Sequence, residues 1–228
     1  AGSSFGTINS GTLTNNGTFS LQGTGTVVNS VTFDNAGTYA ITGDGDILIR
    51  SGTLDNAGTI NKTGGGLTVF SADNGGTFIQ TSASARVEAA DGTTIKFDPG
   101  TSGNNVTAGT FDSNTSGRIE IGGDWTNFSP TNVVGSTLKI ANDRIEPSAT
   151  MTLNVPGLGI ERDTSSHIIN TAAGTDLIHA SGSKFTLSGT SFPGILGGGR
   201  FVNQGTFLST STAQLVLESG GADMTNSG

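Results

Sequence analysis

Thr12-Leu13-Thr14-Asn15-Asn16-Gly17-Thr18-Phe19, the octet TLTNNGTF at 12–19, returns as TFDNAGTY at 32–39, TLDNAGTI at 53–60 and RFVNQGTF at 200–207. All four share apolar, any, Asn, any, Gly, Thr, apolar. SADNGGTF at 71–78 loses only the first apolar residue, and NNVTAGTF at 104–111 puts Thr107 where the others have Asn. The first four glycines of the set, Gly17, Gly37, Gly58 and Gly76, are 20, 21 and 18 residues apart, and Gly205 is their counterpart in the last copy. A period near 20 residues is one coil of a β-solenoid, whose coils bury their apolar sides only by stacking on one another.

The octet's residue types fit a strand, a sharp corner and a second strand. Leu13, Phe33, Leu54 and Phe201 end one strand pointing inward, and Phe19, Tyr39, Ile60, Phe78, Phe111 and Phe207 begin the next, also inward. Between them, Asn-x-Gly supplies a residue that tolerates positive φ and one that hydrogen-bonds neighbouring backbone. Coils stacked about 4.8 Å apart place Asn15, Asn35, Asn56 and Asn74 in one ladder, with Asn203 the same residue in the last copy. Such ladders hold strands in one register.

Between octets lie short strand-like runs after Gly-rich corners, such as Ile47-Leu48-Ile49 after Gly43-Asp44-Gly45 and Val87-Glu88-Ala89. The expectation is an all-β, single parallel β-solenoid over 1–228. At about 20 residues per coil it has roughly 11 coils and is a rod on the order of 50 Å long. Coils are regular over 1–98. All five prolines, Pro99, Pro130, Pro147, Pro156 and Pro193, fall in 99–199, which reads as a decorated stretch of longer loops or bulges before regularity returns over 200–228.

Composition agrees with thin coils. Gly, Thr, Ser and Asn supply 115 of 228 residues, while charged residues are 12% and hydrophobic ones 32%. Too few Lys, Arg and Glu are present to solvate the outside of a helix bundle. The regular Val, Ile, Leu and Phe exclude ordinary disorder. A net charge of −8 with no basic run excludes nucleic acid as a partner. No apolar run reaches the roughly 18 residues that span a bilayer, so membrane insertion is not expected. There is no cysteine, hence no disulfide framework or thiolate metal site. A start at Ala-Gly-Ser-Ser without Met reads as a processed product or a fragment.

The N-x-G-T-[FYI] octet over 12–78 and 200–207 resembles the repeats of bacterial secreted and surface β-helix proteins, such as autotransporter passengers and filamentous-haemagglutinin-type adhesins. The resemblance implies an extracellular or cell-surface location and partners bound along loops or edges. It carries no secretion domain, membrane barrel or protease triad with it.

Residues able to carry chemistry are few. Asp44 and Asp46 in Gly-Asp-Gly-Asp suit a hard cation such as calcium, though the tandem nonapeptide of calcium β-rolls is missing and a solvated turn is the plainer reading. Asp143-Arg144-Ile145-Glu146 and Glu161-Arg162-Asp163 mix signs locally and read as surface ion pairs before catalytic acids. His167 and His179 lack companion ligands for zinc. Trp125, beside Asp124 and Asn127, is either a buried anchor or an exposed ring that stacks on a sugar. A Thr column of Thr18, Thr38, Thr59, Thr77, Thr110 and Thr206 has no second column two residues on, which argues against an ice-binding face.

The expected function is therefore a non-enzymatic extracellular structural or adhesive rod without cofactor. Its partners are neighbouring repeats of a longer chain, or identical subunits stacked end to end into a filament. The alternative is a polysaccharide-active or glycan-binding β-helix, which requires carboxylates converging from adjacent coils or an exposed Trp125.

Overall fold

The computed structural model describes residues 6–8, 10–98, 103–122, 125–141, 151–154, 159–163, 168–171, 174–188, 194–197, 199–210, 216–217 and 223–227. They form a parallel β-solenoid with three strands per coil. In the first coil these are Gly6–Ile8, Thr12–Asn15 and Thr18–Leu21. Each pairs in parallel with its counterpart one coil later, so the coils build three faces, called A, B and C in chain order. Faces A and C are ten-stranded sheets, and face B is described as sheets of six and three strands.

Ten described strands in each of faces A and C correct the expectation of about eleven coils, because the coil is longer than the octet spacing suggests. Register offsets along face A run from 19 residues, Ile119 to Leu138, to 27 residues, Leu67 to Thr94. Insertions at corners supply the extra residues, and the strands themselves stay at two to seven residues. Ten rungs about 4.8 Å apart give a stack roughly 43 Å long.

Alternation sets the core. Thr32–Asn35, Thr38–Ile41, Thr53–Asn56, Thr59–Lys62 and Thr77–Gln80 all bury their second and fourth residues. That is the period-2 rhythm of a strand with one face inside. In-register partners form inward columns along the axis. Face A contributes Val27, Ile47, Phe70, Phe97 and Ile121. Face B contributes Leu13, Phe33, Leu54 and Phe78, and face C contributes Phe19, Tyr39, Ile60, Val87 and Phe111. Rings meet across the faces: Phe97 lies 4.9 Å from both Phe70 and Phe78 and 6.2 Å from Trp125.

Outside, ion pairs bridge successive rungs. Arg86 donates to Glu88 on its own strand and reaches Asp112 one rung on at 3.3 Å. Arg200 grips Asp176 one rung back with two bonds of 2.9 and 2.8 Å, and the guanidinium holds the Asp176 carboxyl below the usual carboxylate range. Exposed pairs of this kind each add little.

In the proline-containing stretch, Pro130 is buried just beyond strand Trp125–Phe128. That strand's register slips by one residue against Asn104–Val106, a local bulge. Pro99, Pro147, Pro156 and Pro193 lie outside the described residues.

Candidate functional site

The feature that the octet builds is a buried ladder of primary amides. Asn15 Nδ2 donates to Asn35 Oδ1 at 2.7 Å, Asn35 Nδ2 to Asn56 Oδ1 at 2.8 Å, and Asn56 Nδ2 to Gln80 Oε1 at 2.8 Å. Gln80 Nε2 closes the run on the Ala108 carbonyl at 3.1 Å. Each Asn also donates its second N–H across the corner, to the carbonyls of Thr38, Thr59 and Arg86. Asn35, Asn56 and Gln80 are at most 1% exposed, so an amide left unpaired here would bear the full cost of desolvation. Amide groups suit the position because each carries a donor and an acceptor that align one rung apart.

Two expected members stand elsewhere. Asn74 is exposed, with φ of 48°, in a turn it shares with Gly75 at 83°. Gln80 takes its place in the ladder, since Thr77–Gln80 pairs with Thr53–Asn56 on face B. The octet at 71–78 therefore turns the corner from face A to face B, and Phe78 stacks on Leu54 instead of Ile60. The octet at 200–207 turns from face C to face A, and Phe207 pairs with Phe185. Asn203 thus belongs to a second ladder, in which His179 Nδ1 donates to Asn203 Oδ1 at 2.6 Å and Asn203 Nδ2 donates to Asn226 Oδ1 at 2.8 Å. The supposed Thr column divides in the same way: Thr77 sits on face B and Thr206 on face A. Only the copies at 12–19, 32–39, 53–60 and 104–111 share the corner from B to C. The octet is a corner module used at all three corners.

The role of its glycines also differs from expectation. None of Gly17, Gly37, Gly58, Gly76 and Gly205 has positive φ. A Cβ at Gly37 would collide with the Gly17 carbonyl, one at Gly58 with the Gly37 carbonyl, one at Gly76 with that of Ile49, and one at Gly205 with that of Ser183. Glycine is required because adjacent coils touch backbone to backbone at the corner. Asn29 repeats the corner chemistry between faces A and B, accepting from Val31 N at 3.1 Å and donating to Thr53 O at 3.4 Å. Its sequence signal, Asn-Ser-Val-Thr-Phe, differs from the octet only by Val31 in the glycine position.

At the Gly-Asp-Gly-Asp corner the positive charge belongs to a side chain. The fully buried Lys62 donates from Nζ to the carbonyls of Gly43 at 2.7 Å and Gly64 at 2.8 Å, and lies 3.6 Å from Asp44. Asp44 Oδ1 also accepts from Gly66 N, and Asp46 Oδ1 from Val69 N at 2.9 Å. Burial pulls the Lys62 pKa down, and Asp44 followed by Asp46 push it back up. These residues do not fit a calcium ligand set, because the ammonium already uses the carbonyls that calcium would need.

Trp125 is 1% exposed, packed 5.4 Å from Phe128 and 6.0 Å from Phe78, with Nε1 donating to Gly122 O at 2.7 Å. It is the anchor of the core, and neither ring face is open to a sugar. His179 is fully buried, and its Nε2 has no hydrogen-bond partner among the described residues. Of Glu161-Arg162-Asp163 the structure describes only the strand Gly159–Asp163 in face A. Asp124, Asp143 to Glu146 and His167 fall outside the described residues.

One acidic pair escapes the sequence reading because it occupies the "any" position of two octets. Asp34 and Asp55 are in register on neighbouring rungs of face B, pointing outward between the Thr32 and Thr53 side of the strand and the buried Asn ladder. Partial burial first, then the charge of Asp34, hold the Asp55 carboxyl above its usual range.

Fold and corner chemistry together define a parallel β-solenoid repeat protein. No family model, no curated protein and no solved structure matches the chain.

Proposed function

We propose that the chain is a non-enzymatic, extracellular structural or adhesive rod of a bacterial surface protein. The observation that carries this reading is the buried amide ladder from Asn15 to Gln80, running along the axis beside ten-rung sheets. Backbone bonds parallel to the axis and amides linked rung to rung resist separation of the coils and fix their register. Such a stack functions by length and stiffness. It supports either continuation into further coils of a longer chain or stacking of copies end to end.

The test is mechanical. Pulled along its axis from tethered ends, the rod should yield in steps of about one coil, each releasing roughly 75 Å of chain at about 3.4 Å per residue. Smooth extension at low force would sink the reading.

A second reading has one observation in its favour. Asp34 and Asp55 are carboxylates from adjacent coils, the arrangement a polysaccharide-active β-helix requires, and strand spacing puts them near the ~5 Å separation of retaining glycosidase pairs. Release of reducing ends from neutral or acidic glycans, abolished by Asp34→Asn or Asp55→Asn, would replace the rod with an enzyme.

A further inference from the structure

Lys62 ends the strand Thr59–Lys62 at an inward position that Ile41 holds one rung earlier and Ala89 one rung later. Burying an ammonium there is costly unless acceptors are already in place to receive it. They are in place at the corner from face C to face A. Gly43 and Gly64, each two residues past the paired Ile41 and Lys62, aim their carbonyls at Nζ from 2.7 and 2.8 Å, and Asp44 Oδ1 stands 3.6 Å away.

Backbone contacts, not the lysine side chain, set where these acceptors stand. Thr42 N donates to Leu21 O, Thr63 N to Ile41 O and Ala90 N to Lys62 O, each at 2.9 Å, so the chain is carried through this corner rung by rung. Thr68 Oγ1 donates to Gly45 O at 3.0 Å, while Gly66 N and Val69 N hold the carboxylates of Asp44 and Asp46. A Cβ at Gly43 would strike the Gly23 carbonyl, and one at Gly64 the Thr42 carbonyl. Backbone therefore lies against backbone here whatever residue stands at 62. Two carbonyl oxygens aimed at one point beside two carboxylates repel each other, and a cation between them removes the repulsion.

The acceptors and the channel leading to them define the cation. A primary ammonium has three N–H donors, enough for both glycine carbonyls with one left for the Asp44 side. A quaternary ammonium has none. Calcium takes about six to eight oxygens, and this corner presents two carbonyls and one carboxylate. The lysine stem runs in the inward column between Ile41 and Ala89, a path that suits a short unbranched alkyl chain.

We infer that this corner is a binding site for one primary alkylammonium ion, occupied in the native chain by Lys62 itself and opened to a free amine when that side chain is shortened. The inference stands apart from the rod reading, since it concerns one corner and neither assembly nor mechanics.

Hydrogen exchange at Thr63 and Ala90 in full-length Lys62→Ala, titrated separately with n-propylammonium chloride, 1-propanol and tetramethylammonium chloride, decides it. n-Propylammonium restores the atoms that the substitution removes. The variant alone should exchange faster than wild type at both amides. n-Propylammonium at about ten times its Kd should slow that exchange about tenfold, whereas the neutral alcohol and the quaternary ion should leave it unchanged. Wild type, its site already filled, should respond to none of the three. Should Lys62→Ala fail to fold, Lys62→Met keeps most of the stem and loses the charged head, and ammonium chloride becomes the probe against tetramethylammonium chloride. A folded variant that the primary ammonium does not protect, equal protection by the alcohol or the quaternary ion, or an equal response in wild type would each overturn the inference.

Discussion

At the level of single residues, the ladder and the buried histidine are the most exposed to test. Asn56→Ala removes the acceptor for Asn35 and the donor for Gln80 in one step. Each orphaned buried amide costs about 1–3 kcal/mol, so the variant should lose about 2–4 kcal/mol of local stability, read as faster hydrogen exchange in the rungs on either side of Asn56. Glycine substitutions should divide sharply. Gly37→Ala meets a carbonyl and should lower the melting temperature by many degrees, while Gly17→Ala meets nothing among the described residues and should leave it within about a degree. Burial pulls the His179 pKa below its ordinary value, and the bond to Asn203 opposes this more weakly. As pH falls below about 6.5 the unfolded imidazole binds a proton before the folded one does, so stability falls with pH across that window and levels off below the folded value. Urea midpoints between pH 5 and 7 should show this slope, and His179→Asn should flatten it.

At the scale of strands and corners, coil-to-coil contact decides what each element does. Trp125–Phe128 enters the core through a bulge and carries the ring that joins Phe78, Phe97 and Phe128. Trp125→Ala should therefore cost about 3–5 kcal/mol, the range for truncating a buried aromatic. Indole emission should be blue-shifted and unchanged by added oligosaccharide; quenching by a glycan would contradict the burial. Two elements were readable in advance: the strand alternation and the inward position of Leu13, Phe33 and Leu54 follow from a period of two. Gln80 was not, since it lies two residues past the octet's last apolar residue and has no Asn-x-Gly after it. Only its register with Asn56 identifies it. Lys62 was hidden likewise, because a lysine in a polar stretch gives no sign that the carbonyls of Gly43 and Gly64 will surround its ammonium.

For the whole molecule, stability is a sum over neighbouring coils, so unfolding should lack the single sharp transition of a globule of this length. Hydrogen exchange should show protection highest around Phe70, Phe78, Phe97 and Phe111, where rings from all three faces meet, and falling toward both ends. Uniform protection to the last coil at low concentration would argue against it. The sequence by itself determined the class of fold, the strand chemistry and the existence of an amide ladder, because octet, alternation and corner residues are local and repeat. The tertiary structure alone decided which corner each octet turns, which residues fill the ladder, and why its glycines must be glycine. One module fits all three corners and the residues between corners vary in number, so only the pairing of each strand with the coils beside it fixes its place.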